Sequence, residues 1–199
     1  MKKIFLILVI GASLFSCKRN DPMDRTIFIP DPSDPDLPIY SEWGYNTFGA
    51  EYDRRDYFIS DEYVLPCKIM YKDNQLIFSL NGKRKNDREK MEMVFTFDMP
   101  QMNSYKDLLN LHDKEINLAD TAISSVKITR DERDSSNLDV ISGRLYFQRV
   151  QLLRIDDVEN RIILSGWFAV QFNSNGTYPV SISNGRFDVG VTKDFFFLY

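Results

Sequence analysis

The chain has 199 residues, with 25 lysines and arginines against 29 aspartates and glutamates, and 43% of its residues are apolar. That is one domain's worth of chain with enough apolar residues for a buried core, and it excludes a collagen, a coiled coil and a disordered tail. A net charge of −4 argues against nucleic acid as a partner.

Lys2 and Lys3 form a short positive region, and residues 4–10 are an unbroken apolar run. Small residues follow. The pattern is that of a secretory signal, too short for a spanning helix. Leu14-Phe15-Ser16-Cys17 resembles the bacterial lipobox. The resemblance implies cleavage after residue 16 and attachment of diacylglycerol and an amide-linked acyl chain to Cys17. Loss of Lys2 and Lys3 then leaves 23 basic residues against 29 acidic ones, a charge of −6. Several acyl chains anchor a protein stably where one alone is marginal, since each buried methylene contributes about 0.8 kcal/mol. Cys67 is left as an unpaired thiol, read as a small buried hydrophobe because no histidine or basic cluster lies near it in sequence.

Five of the eight prolines fall in residues 18–40, the densest part being Pro30-Asp31-Pro32-Ser33-Asp34-Pro35-Asp36-Leu37-Pro38. Fixed φ angles and mutually repelling carboxylates predict an extended, semi-rigid spacer. Asp31, Asp34 and Asp36 lack the glycine turn and terminal glutamate of a calcium loop, so no metal is expected. The expected organisation is a signal peptide over 1–16, a lipidated cysteine and tether over 17–40, and a folded domain over 41–199.

From Trp43 onward apolar residues alternate with polar ones. Leu76, Phe78 and Leu80 share one parity, as do Met91, Met93, Phe95 and Phe97, and then Ile162, Leu164, Phe168, Val170 and Phe172. These are half-buried strands. Polar turns at residues 72–74, 81–90, 156–160 and 173–176 make neighbouring strands antiparallel. Parity changes between Phe147 and Val150, and between Ile182 and Phe187, where β-bulges are predicted, the second at Gly185. Ser104 and Asp107 form a capping box before Tyr105, Leu108, Leu109 and Leu111, which predicts one helix of about two turns. The fold class expected is all-β, a single antiparallel β-sandwich or lipocalin-like flattened barrel with one short helix.

Ser142-Gly143-Arg144-Leu145, Ser165-Gly166-Trp167-Phe168 and Asn184-Gly185-Arg186-Phe187 repeat one form at uneven spacing. They read as three adjacent strands whose glycines permit bulges or close packing. Arg144, Trp167 and Arg186 make a candidate binding surface if their side chains share one exposed face. A second aromatic group, Trp43, Tyr45, Phe48 and Tyr52, opens the domain, and residues 195–199 end the chain as Phe-Phe-Phe-Leu-Tyr. Aromatic groups of this kind suit sugar or lipid binding as well as core packing.

No catalytic constellation is found. The single histidine, His112, follows the short helix as a terminal polar residue would, and one histidine with one free cysteine makes no zinc site. Asp53, Asp56, Asp61 and Glu62 read as a solvated loop rather than as a glycosidase pair. No glycine-rich phosphate loop is present, and no cofactor is expected. Asp120-Thr121-Ala122 resembles the short sequon used by Bacteroides-type bacteria for O-glycosylation of exported proteins, which would place a glycan on Thr121.

Residues 43–50 (Trp-Gly-Tyr-Asn-Thr-Phe-Gly-Ala), residues 108–112 (Leu-Leu-Asn-Leu-His) and residues 182–189 (Ile-Ser-Asn-Gly-Arg-Phe-Asp-Val) are similar to a family of Bacteroides-type lipoproteins that carry a domain of unknown function. The similarity extends over roughly residues 41–194. It implies an all-β lipoprotein of the cell envelope and transfers neither an activity nor a site. The readings left open, in order, are a non-enzymatic binding module for glycan, lipid or peptide, an accessory subunit of an outer-membrane or surface complex, and a hydrolase. The membrane, through the Cys17 anchor, is the first partner expected, at the outer membrane. Lys18 and Arg19 stand where an acidic run would have marked export to the surface.

Overall fold

Two-residue turns with both central residues at positive φ join successive alternating runs. Asp73 and Asn74 turn at φ 53° and 61°, and Asp156 and Asp157 at 51° and 63°. This left-handed pair matches the twist of a hairpin, and aspartate and asparagine tolerate it. The computed structural model describes residues 22–54, 56–60, 67–84, 89–130, 134–174 and 178–199.

The strands are β1 (Pro30–Asp31), β2 (Asp34–Pro38), β3 (Thr47–Tyr52), β4 (Asp56–Ser60), β5 (Cys67–Lys72), β6 (Gln75–Arg84), β7 (Lys90–Asp98), β8 (Lys114–Asn117), β9 (Ser124–Arg130), β10 (Asp134–Asn137), β11 (Asp139–Ile155), β12 (Val158–Asn173), β13 (Pro179–Val191) and β14 (Phe196–Leu198). β1 and β2 make a small hairpin. The others form one sheet in the order β10-β9-β7-β6-β4-β3-β13-β12-β11-β8, with β5 between β6 and β14.

That sheet folds back on itself. β6 pairs with β5 along its first half and with β4 at its far end, so β4 bridges two layers. Phe78 of β6 meets Phe147 of β11 and Phe187 of β13, with ring centres 5.6 and 5.2 Å apart. Phe95 of β7 meets Phe168 of β12 at 5.4 Å. These tilted and edge-on contacts suit aromatic quadrupoles, and they make the core of a sandwich. The ladder does not close: among the described residues β8 and β10 end it without pairing to each other. The sandwich expectation holds, and the barrel alternative is corrected.

The predicted bulges are present. Register shifts occur between Tyr146 and Arg149 on β11 and between Ser183 and Arg186 on β13, where Asn184 has φ 54°. The predicted helix is a 3-10 helix, Tyr105–Leu111, closed by the expected Ser104–Asp107 capping box, with Leu108 and Leu111 buried. The repeated glycines have one physical cause. A Cβ on Gly143, Gly166 or Gly185 would lie 2.8, 1.9 or 2.4 Å from a backbone carbonyl oxygen of the adjacent strand. At these points β11, β12 and β13 approach too closely for any side chain. The last strand, β14, is an edge strand that pairs with β5 in parallel, against the expectation of antiparallel neighbours throughout.

The greatest departure from expectation is the tether. Residues 22–40 do not stand off the domain. Leu37 is fully buried, and the β1–β2 hairpin packs near β3 and β4. The folded unit among the described residues therefore begins at Pro22 rather than at residue 41. Buried polar side chains of the sheet account for the difference, because they supply partners that proline- and aspartate-rich chain lacks in isolation.

Candidate functional site

The outer face of β12 carries Arg161, Ile163, Ser165, Trp167, Ala169 and Gln171, opposite in parity to the core residues. The first four lie under the N-terminal strap. Arg161, 1% exposed, donates from Nη1 to the Met23 carbonyl at 2.8 Å and pairs with Asp24 at 3.3 Å. Asn46 donates to the same carbonyl at 2.7 Å and accepts from the Gly190 N–H at 2.9 Å. Ile163 packs where Gly44 crosses, so closely that a Cβ there would sit 3.1 Å away.

Asp188, 1% exposed, is the main clamp. It accepts from the backbone N–H groups of Gly44 at 2.9 Å and Tyr45 at 3.0 Å, from that of Trp43 at 3.3 Å, and from the hydroxyls of Ser165 and Ser41. A buried carboxylate is tolerated because its lone pairs are filled. Tyr40 stacks on Trp167 at 4.4 Å, and the Trp167 indole donates to Gln148 at 2.6 Å. Arg186 lies over the other part of this group, 5.4 Å from the Trp167 ring centre. It pairs with Asp31 and donates to the Pro38 carbonyl at 3.3 Å.

Arg144, Trp167 and Arg186 thus do share one face, but the strap covers two of them. Arg186 is 9% exposed and Trp167 is half-buried, while Arg144 stays exposed beside Glu115 at 3.9 Å. Arg144 lines an open groove of about 590 Å³ that begins where the strap ends, floored by Gly143 and Ala169 and rimmed by Ser142, Gln171 and Ser183.

A second depression, about 360 Å³, lies against the strap itself, between Tyr40, Ser41, Glu42, Trp43, Arg149 and Gln151. Its side chains are held in one network. Tyr40 donates to Glu42 at 3.0 Å, Arg149 pairs with Glu42 at 3.2 Å and donates to Gln151 at 3.1 Å, and Gln151 donates to the Glu42 carbonyl at 2.6 Å. Burial, then the Glu42 carboxylate, pushes the Tyr40 phenol well above its usual range, so it remains a donor. Trp43 is 72% exposed, although its backbone is fixed by Asp188. The β11 bulge brings Arg149 and Gln151 to this side, so sequence parity alone could not have placed them.

The remaining sequence candidates separate. Cys17 lies outside the described residues, as do Asp61 and Glu62. Cys67 is buried, and burial pushes its thiol far above the usual range. His112 caps the 3-10 helix and accepts the Val150 N–H on Nδ1 at 3.1 Å. Thr121 is exposed in a turn where the Asp120 carboxylate accepts from the Ala122 N–H at 3.1 Å. Among the described residues no cluster of three or more metal-ligating side chains is found, and no helix is long and apolar enough to cross a membrane. No family model, curated protein or solved structure matches the chain.

Proposed function

We propose that the protein is an envelope lipoprotein, anchored through Cys17, whose strap-side depression binds a glycan. One observation carries the reading: an indole left 72% in water while its own backbone is locked by a buried carboxylate. An exposed aromatic ring on a fixed backbone is a ready platform for the C–H face of a sugar, because binding there orders little backbone that is not already ordered. The neighbouring groups suit hydroxyls. Arg149 offers planar donors, Glu42 acceptors, and Gln151 and Tyr40 both. The depression has room for one or two sugar rings and is too polar for an acyl chain. The lipobox and the resemblance to envelope lipoproteins support the location.

A glycan array of envelope and host oligosaccharides, probed with the mature chain in detergent, tests this reading. Wild-type protein binds a defined subset, and Trp43→Ala binds none of it. Equal binding by the two proteins would remove Trp43 from the site.

A second reading, an accessory subunit, draws on the edge strand β14. Among the described residues it pairs only with β5, and its last residue, Leu198, and Tyr199 beyond it are 49% and 75% exposed. Such an edge can accept a partner strand. Truncation after Phe195 would then abolish co-purification with envelope partners while leaving glycan binding intact.

A further inference from the structure

The strap carries apolar side chains that the sheet does not cover. Ile27 is 48% exposed, Ile29 42%, and Phe28 and Ile39 36% each. Ile39 donates its N–H to the Ile29 carbonyl at 2.7 Å, so the two lie side by side, and Ile27 is tied to Tyr45 by its N–H at 2.8 Å. Exposed apolar groups gathered on one short length of chain, with residues 29 and 39 bonded side by side, mark an interaction surface. Their position is not free to drift, because Arg161 and Asn46 hold residue 23 and Arg186 holds residues 31 and 38.

The chain preceding them limits what they can meet. Five peptide steps separate Cys17 from Pro22, and a fully extended chain spans at most about 18 Å over that length. The headgroup layer on one side of a bilayer takes up several ångströms of that reach. A domain fixed to its own strap therefore sits against the membrane, on the side from which the strap emerges. Arg25, exposed two residues before Ile27, is placed to meet phosphate headgroups while the apolar side chains go deeper.

We infer that Ile27, Phe28, Ile29 and Ile39 form a membrane-contact surface that seats the domain on the lipid bilayer holding its anchor. The inference rests on lipidation of Cys17. The seat sets orientation, since the acyl chains already supply retention.

The test uses the full lipoprotein in its native membranes, photolysed with a lipid-soluble carbene reagent and digested with trypsin. The peptide of residues 26–54 carries all four side chains, and that of residues 162–186 carries Tyr178, which is 80% exposed at the opposite end of the sandwich. Label is expected on residues 27–29 and 39 and not on Tyr178. The double variant Ile27→Glu, Ile29→Glu alters only exposed side chains. It is expected to stay in the membrane, keep its melting temperature and lose label from Phe28 and Ile39. Acylated Cys17 with residues 27–29 and 39 labelled no more than Tyr178 would overturn the seat alone, and so would label that appears only after reconstitution in pure lipid, which would mean that a protein covers the patch in the cell. Cys17 without a lipid mass would overturn the anchor, and the seat with it.

Discussion

Asp188 accepts the Gly44 N–H at 2.9 Å across 144 positions of sequence. That contact and its neighbours turn a length of polar, proline-rich chain into part of the domain. They also hold the backbone of Trp43, which is 72% exposed. Asp188→Ala removes the acceptor for several backbone and hydroxyl donors at once. Each donor left buried and unsatisfied costs about 1–3 kcal/mol, so a loss of about 3 kcal/mol or more is expected in urea unfolding. Limited proteolysis should then cut within residues 22–45 before it cuts the strands of the large sheet.

The close approaches at Gly166 and Gly185 predict the other large losses of stability. Alanine at residue 166 would place Cβ 1.9 Å from the Tyr146 carbonyl oxygen, and at residue 185, 2.4 Å from that of Phe168. Backbone cannot yield as a flexible side chain can. Overpacking of this kind costs about 1–3 kcal/mol and occasionally more, and Gly166→Ala should lie at the upper end. Thermal melts of the two variants check this, with Gly44→Ala as a strained comparison at φ 74°.

Acid should loosen the β1–β2 hairpin. The Ser33 N–H, and then Arg186, hold the Asp31 carboxyl below its ordinary value of 3.8. A depressed carboxylate contributes stability above the unfolded value and loses it as pH falls through the folded value. Protection factors of the amides within residues 30–38, which remove the intrinsic pH dependence of exchange, should therefore be high at neutral pH and fall below pH 3.8. Asp31→Asn should exchange fast at neutral pH, and its difference from wild type should narrow as the pH drops.

Cys67 should behave as core. Its thiol is buried and pushed up by that burial alone, and the thiolate is the reactive form. Alkylation by iodoacetamide in native buffer is expected to be negligible and to rise with the unfolded fraction in urea. Rapid native labelling would show that β5 opens locally.

Much of the sandwich was legible because its signals are local. Alternation marked β6, β7 and β12, Asp73-Asn74 marked a turn, and Ser104 with Asp107 marked the 3-10 helix. Parity changes marked two bulges, since a one-residue slip would expose an entire apolar face. The strap was illegible for the opposite reason. Pro30 to Pro38 reads as an extended spacer, and nothing in the sequence marks Arg161 or Asp188 as anchors of the strap. Only the fold brings them together. Arg186 shows the cost of this: its place in the repeated glycine-centred form suggested a binding surface, and it serves to hold Asp31 and Pro38. Trp43 was visible as one of an aromatic group, but its exposure was not, nor was the arrival of Arg149 and Gln151 beside it.

Titration of the mature protein with the oligosaccharide that binds best on the array, followed by tryptophan fluorescence, is the most direct test. Trp43 and Trp167 are the two tryptophans, and Trp167 lies under Tyr40. A saturable change that vanishes in Trp43→Ala, with the melting temperature of that variant unchanged, is the predicted result. An oligosaccharide that binds Trp43→Ala as tightly as wild type, or a panel in which none perturbs Trp43, would contradict the glycan reading.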